Sequence, residues 1–457
     1  MGPVMTFSHN SAGDAVSAVA LDSPLVPQRA SRRKPLVGAY LSLLLFMAIY
    51  CARPEDWIPG LSILPLAKMA GVLALLALMF SLGQIRSSLP REVLYLILLF
   101  GQLFLAAAMS PVWRGGAVQL ALDFGKVILI VGIIYLSVNS VERLRRLIFI
   151  QAAAVAVIAA VAVWKGHLLG GRLEGTLGAN YSDPNDLALA IIISLPFCLA
   201  LLLLSSGGLR KVAWALAILV MLYAVFLTGS RGGFISLIVT AAVFLWEFAI
   251  RGRRHYLLAL AVLAGVILWQ FSSQVLVGRL QGTFNPKQGT AASYDSAAGH
   301  QQLFWRSVEI TKAHPLFGVG PGNFQELSGS WHVTHNSFTQ MSAEGGVPAL
   351  VLYVLILWRG FKNLRATKRL ARRRAELSLL ARALLASLAG YIAGSVFLSV
   401  GYALFPYFLV AYTTALFGIA KRSASHSKER ESDSQGKPEK EPWIPLQGAI
   451  DSAGWAP

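Results

Sequence analysis

The chain has 457 residues, of which 55% are hydrophobic and only 14% charged, with a mean hydropathy of +0.59. Soluble globular domains carry about 25% charged residues, so a water-soluble fold is excluded. The net charge of +18 does not call for nucleic acid, because Lys and Arg fall in short clusters between apolar runs, as in the cytoplasmic loops of membrane proteins.

Apolar runs of about 17 to 23 residues recur along the chain, each long enough to cross a bilayer as a helix. Backbone polar groups in lipid must be paired within their own segment, so these runs are read as helices. Residues 1–34 are polar, lack the apolar stretch of a signal peptide, and read as a disordered cytoplasmic tail. Spans one to nine occupy 35–275: Leu36–Cys51, Leu66–Leu82, Val93–Met109, Val118–Val138, a fifth ending at Trp164, Leu187–Leu204, Val212–Leu227, an eighth ending at Ile250, and Tyr256–Val275. Residues 276–347 form the longest polar stretch away from the termini, read as a large periplasmic loop with short helices. One of these is an amphipathic helix over Gln301–His314. Spans ten to twelve fill 348–420 (Pro348–Trp358, short and expected to begin a few residues earlier, Leu377–Ser399, Leu404–Ala420), and 421–457 read as a disordered cytoplasmic tail. The fold class expected is therefore an all-α polytopic membrane protein of about 12 transmembrane helices.

With a cytoplasmic N-terminus, the basic clusters at 29–34, 86–91, 142–146, 210–211, 251–254, 359–374 and 421–422 all fall on the cytoplasmic side, as the positive-inside rule requires. The same count puts the loops holding Arg172, Arg231 and His335 together on the opposite face. Cys51 and Cys198 lie at or within apolar runs and read as buried thiols rather than a disulfide.

Several residues on that opposite face have chemical potential. Arg231, in Thr228-Gly-Ser-Arg-Gly-Gly233, opens a helix whose N-terminal amides favour an anion, and its guanidinium fork suits phosphate. The flanking glycines would let a ligand approach the backbone, while the simpler alternative is an Arg resting in lipid headgroups. Arg172 sits among glycines ahead of Asp183-Pro-Asn-Asp186, a turn whose side chains suit capping of the next helix. His335 precedes Asn336 and has a side chain that titrates near neutrality, suited to a general base. His300 and His332 lie near it in sequence, but no H-x-x-x-H helix or Cys pair accompanies them, so no metal site is expected. Arg306 and Glu344 are supporting candidates, and Asp56 is a further carboxylate in the first outward loop. Gly318-Val-Gly-Pro-Gly-Asn323 lacks the Lys-Ser/Thr of a phosphate loop and reads as a tight turn against the membrane surface. Asp123 and Lys126, three residues apart in the fourth span, either pair with each other or mark a transport path.

Taken in order, Thr228-Gly-Ser-Arg-Gly-Gly-Phe234, Pro315-Leu-Phe-Gly-Val-Gly-Pro-Gly-Asn-Phe324, His335-Asn-Ser-Phe338 and Glu344-Gly-Gly346 resemble the O-antigen ligase/polymerase superfamily. Arg172…Gly175…Gly178 with Pro184-Asn185, and Tyr50…Arg53-Pro54…Ile58-Pro59, are similar to its upstream motifs. The resemblance implies a metal-independent, cofactor-free glycosyltransferase of GT-C type in the bacterial inner membrane. It would move a glycan from a polyprenyl (undecaprenyl) diphosphate carrier to a hydroxyl acceptor on the periplasmic face. The acceptor would be lipid A core, another surface glycan or a protein. Arg172 and Arg231 would hold the diphosphate and His335 would act on the acceptor hydroxyl, with Asn336, Arg306 and Glu344 in support. Ala349 departs from the ligase pattern, which has Gly, Thr or Tyr there, so an O-antigen or exopolysaccharide polymerase of the same superfamily stays open. A lipid-linked sugar transporter or flippase, using Asp123 and Lys126, is the alternative of another class.

Overall fold

The fold is set by where the chain is apolar all round and where it is apolar on one side. In the computed structural model, α7 (Pro184–Leu204) has no charged residue after Asp186 and is buried along most of its length, as expected of a helix without a polar face. Around it, in chain order, are α1 (Val37–Ala52) with the short α2 (Pro54–Trp57), α3 (Leu66–Met79), α4 (Arg91–Ala108), α5 (Arg114–Ser137) and α6 (Val141–Lys165). Next come a two-residue hairpin, β1 (Leu168–Leu169) and β2 (Arg172–Leu173), then α8 (Gly208–Thr228) and α9 (Arg231–Leu245) with a π-helical turn at Trp246–Ile250. The remainder are α10 (Tyr256–Gln270), α11 (Ala291–Ala313), the short α12 (Phe324–Leu327), α13 (Ser337–Leu370), α14 (Ala375–Ser395) and α15 (Leu404–Gln435).

The structure describes residues 36–435 apart from 81–88, 170, 176–180, 182, 271–276, 279–280, 282–290 and 372–373. The described residues fall within one compact unit beginning at Leu36. The expected N-terminal tail, the chain beyond Gln435, Arg86, Gly178, Arg372 and Arg373 lie outside the described residues. Ten helices among the described residues are long and apolar enough to cross a membrane. Two shorter apolar helices, α3 and α10, stand at the second and ninth expected spans. The chain is thus an all-α multi-pass membrane protein.

Charges divide the bundle into two ends. At the basic end, Glu92 is buried and accepts from Arg359 at 2.8 Å and from Asn363 at 3.0 Å. Glu247, also buried, lies 2.6 Å from Lys368 and 3.3 Å from Arg251, and its backbone carbonyl accepts from Arg382 at 2.7 Å. Pairing of this kind is what allows a carboxylate to sit inside such a bundle. Asp123 and Lys126 pair with each other at 3.8 Å on an exposed flank of α5.

Three boundaries differ from the sequence expectation. The tenth span starts earlier still than the few residues before Pro348 expected from the sequence: α13 begins at Ser337 and runs on to Leu370, with a break at Gly346 (φ 79°, ψ 172°). Gly345-Gly346 and Pro348 are poor helix formers, so the first turns of this helix read as loop in the sequence. The helix expected over Gln301–His314 begins earlier, at Ala291, and turns Leu303, Ser307 and Ile310 inward while leaving Trp305 exposed. The last helix continues past Lys421 to Gln435.

The glycine-rich segment Pro315–Phe324 fills the break in α13. Val347 N–H donates to Pro315 O at 2.8 Å, while Val319 and Gly320 N–H donate to Ala343 O and Glu344 O, each at 2.9 Å. Gln102 on α4 spans the junction, donating to Leu316 O at 2.7 Å and Gly345 O at 2.8 Å. Asn323 ties the same segment to Ser110 Oγ at 2.8 Å. A β-carbon on Gly346 would stand 2.3 Å from Leu316 O in a backbone region open to glycine alone. Gly346→Ala is therefore expected to cost at least about 1–3 kcal/mol in backbone strain, with the clash added to it. Gly329→Ala has a similar φ of 78° but open space around it, and should cost only the strain. Thermal unfolding in detergent checks this, and an equal loss in the two variants would contradict the wedge role of the glycine-rich segment.

Candidate active site

The end of the bundle opposite the basic end gathers the candidate residues. Arg172 leaves the hairpin on β2, where Leu169 pairs with it. Its Nε donates to Thr228 O at 2.9 Å, and its Nη2 donates to Asn185 Oδ1 at 2.8 Å. The guanidinium fork thus spans two elements remote in sequence, the end of α8 and the start of α7. Tyr181 fixes the same loop to α1, its hydroxyl donating to Cys51 O at 3.1 Å. Burial pushes the Tyr181 phenol well above its ordinary pKa, so it stays a neutral donor.

Asn185 is the hub. Its Oδ1 accepts from Arg172 and also from Ser230 Oγ at 2.7 Å. Ser230 in turn caps α9 by accepting from Gly233 N–H at 3.0 Å. Arg231 is the first residue of that helix, so the network that holds Arg172 also fixes the turn from which Arg231 projects. The neighbouring glycines serve protein contacts rather than the ligand approach expected from the sequence. A β-carbon on Gly232 would come 2.6 Å from Phe397 Cβ, and one on Gly233 2.8 Å from Ala188 Cβ. Helix α9 thereby starts pressed against α7 and the loop 396–403.

His335 stands at the start of α13 in a left-handed conformation (φ 51°), which His adopts more readily than most non-glycine residues. Asn336 follows as the helix cap, its side chain accepting from Phe338 N–H at 2.9 Å and Thr339 N–H at 3.1 Å. The loop 396–403 reaches here too: Thr334 and Ser399 hydroxyls lie 2.7 Å apart, and Ser337 Oγ donates to Leu398 O at 2.6 Å. The His335 ring stacks on His300, with centroids 4.3 Å apart and planes at 19°. Burial lowers the His335 pKa below 6.5; Asp183, the cap of α7, pulls it back upward, and His332 adds a smaller downward push. The neutral imidazole is therefore favoured at neutral pH. Among the described residues, no group of three His, Cys, Asp or Glu is arranged to hold a metal ion.

The remaining candidates have other partners. Glu344 is buried in α13, where Tyr402 O–H donates to its Oε2 at 2.7 Å and the backbone of Gly322 and Phe324 hydrogen-bonds it as well. It ties the glycine-rich segment to the loop 396–403. Arg306 is exposed, 3.1 Å from Glu309 and donating to Leu327 O at 3.1 Å. Asp56 forms a two-point pair with Arg53, at 2.5 and 3.0 Å. Cys51 and Cys198 are both buried and free.

Arg172, Asn185 and Ser230 thus form one network beside Arg231, with Asp183 near enough to bias His335 and the loop 396–403 touching both sides. Residues 216–354 match the family model described as O-antigen ligase. This O-antigen ligase domain supports the O-antigen ligase/polymerase superfamily for the chain. Within it, the matched stretch takes in Arg231, the glycine-rich segment, His335 and the break in α13. It leaves out Arg172, the Asp183–Asp186 turn and the loop 396–403, all of which the fold brings to that stretch. A comparison with curated proteins found no match. The matched domain supports a membrane enzyme of ligase or polymerase type, a family that implies a lipid-linked glycan donor and a glycan acceptor.

Proposed function

We propose that the protein transfers a glycan from a polyprenyl-diphosphate carrier to a hydroxyl acceptor, as a ligase, on the periplasmic face of the bacterial inner membrane. The observation that carries this reading is the tie from Arg172 to the Arg231 turn through Thr228 O and Asn185. It sets two guanidiniums from distant loops at the bundle end that also holds His335. Arg172 and Arg231 bind the diphosphate, and the start of α9 adds the positive end of its dipole. The acceptor oxygen attacks the anomeric carbon of the donor sugar, and the bond from that carbon to the phosphate oxygen breaks. The proton of the acceptor hydroxyl passes to the His335 imidazole, and the polyprenyl diphosphate leaves with its charge held by the two arginines. These fixed cations do in this reading what a metal ion does elsewhere, so the transfer is metal-independent.

Asn336 presents His335 by fixing the helix start, Glu344 supports it by holding the segment that fills the α13 break, and Arg306 guards the exposed flank of α11. The donor tail lies in the bilayer and the acceptor comes from the aqueous side. The pairing of Asp123 with Lys126 on an exposed flank supports an enzyme over a transporter, whose charges would line an interior path.

The test is reconstitution. Purified full-length protein, given polyprenyl-diphosphate glycan with lipid A core and with free glycan as acceptors, is expected to release polyprenyl diphosphate and form the transferred product, with EDTA making no difference. Transfer to lipid A core marks the ligase, and extension of the glycan alone marks the polymerase. Movement of lipid-linked glycan across liposome membranes without any transfer would overturn the enzyme reading in favour of a transporter.

A further inference from the structure

A cavity of about 180 Å³ opens between α1, α7, α14 and the loop leading into α15. Its wall combines aromatic and aliphatic side chains, Phe405 and Leu189 among them, with the polar side chains of Asp186 and Ser399 and the phenols of Tyr50 and Tyr391. Few convergent polar groups on an apolar and aromatic wall is the make-up of a small-molecule site. Here a carboxyl and a hydroxyl, which together offer acceptors and donors, are matched to a polyol.

The position of the cavity is more telling than its lining. Asp186 follows Asn185, the hub that holds Arg172 and the turn of Arg231. Ser399 lies 2.7 Å from Thr334, whose hydroxyl donates to Asn336 O beside His335. The cavity is thus bounded on one side by the arginine network and on the other by the histidine loop.

We infer that this cavity is a subsite for one sugar ring, with Asp186 accepting hydrogen bonds from ring hydroxyls and the aromatic walls covering the apolar face of the ring. The inference rests on the transferase reading and extends it. The ring is either the donor sugar next to the diphosphate or the terminal sugar of the acceptor, and both present the same chemistry to Asp186.

The experiment uses the full-length protein in nanodiscs. Saturation-transfer NMR with a panel of free hexoses and N-acetylhexosamines reports ring binding without any turnover, and steady-state transfer with donor and acceptor varied separately reports the source of the ring. Asp186→Asn keeps one acceptor oxygen and loses the acid, so it should weaken sugar binding and raise one KM by up to about tenfold. A rise in the donor KM alone identifies the donor sugar, and a rise in the acceptor KM alone identifies the acceptor sugar. Ala403→Leu removes no polar group and only fills the cavity, so it should weaken sugar binding as well. If wild-type protein binds none of the sugars and both variants keep wild-type KM values, the subsite is wrong while transfer by wild type still upholds the transferase. Sugar binding that Asp186→Asn weakens, in a protein that transfers nothing, would uphold the subsite and overturn the transferase.

Discussion

Replacing Arg231 by alanine is expected to lower glycan transfer by about 100-fold to 1,000-fold, the usual loss when one fixed group that stabilises developing charge is removed. The size of the effect follows from what the leaving group is. As the sugar–phosphate bond breaks, negative charge grows on a diphosphate at the membrane boundary, where water screens it less than in bulk. Arg231 leads α9, so its guanidinium and the helix dipole act in the same direction. Arg231→Lys keeps the charge but loses the fork that grips two phosphate oxygens, and should fall between alanine and wild type. The measurement is release of polyprenyl diphosphate per mole of folded protein, and transfer by Arg231→Ala at the wild-type rate would remove the arginine from the mechanism. Arg172→Ala should also abolish transfer, but with a second effect: it deprives Thr228 O and Asn185 of their donor, and thermal stability falls with it. Because Asn185 holds Arg172 and, through Ser230, the turn that carries Arg231, the double variant should lose less than the product of the two single losses.

The sequence was most informative where one kind of force dominated. Long apolar stretches name their own helices, and the alternation of basic clusters was enough to predict that Arg172, Arg231 and His335 would share one end. It was least informative where a residue's job depends on a distant neighbour. Gly232 and Gly233 look in sequence like room for a ligand, yet their missing side chains make room for Phe397 and Ala188. Glu344 reads as a loop carboxylate at the mouth of a span, and in the fold it is a buried tie between Tyr402 and the glycine-rich segment. The loop 396–403 carries no motif and drew no attention, although Phe397, Ser399 and Tyr402 connect both halves of the candidate site. Asn185 was read as a cap; the capping side chain is Asp183, which accepts from Asn185 N–H at 2.6 Å. This leaves the Asn185 amide oxygen for Arg172 and Ser230. The break in α13 hid the start of a helix because the residues that make it, Gly346 and Pro348, are the ones that disguise it.

His335→Asn is expected to reduce the rate by about 100-fold to 10,000-fold, the range for loss of a general base. Asparagine is the informative replacement because it also tolerates the left-handed backbone that His335 adopts, so the loss reports the imidazole and not the turn. The pH dependence tests the same role without removing the side chain. Burial holds the His335 pKa below 6.5 and disfavours its charged form, so the base form is already present as pH rises through that lowered value. The ascending limb of kcat/KM should therefore have its midpoint below 6.5 rather than above it. Asp183 favours the imidazolium and opposes that shift. Asp183→Asn retains an oxygen to cap α7 while losing the charge, and should move the limb to still lower pH. His332 acts in the opposite sense, and His332→Gln should move the limb upward by a smaller amount. Two variants that displace one titration in opposite directions, neither of them altering His335 itself, would be hard to obtain if another group controlled the rate. A limb that ignores both substitutions would show that the proton leaves the acceptor by a route other than His335.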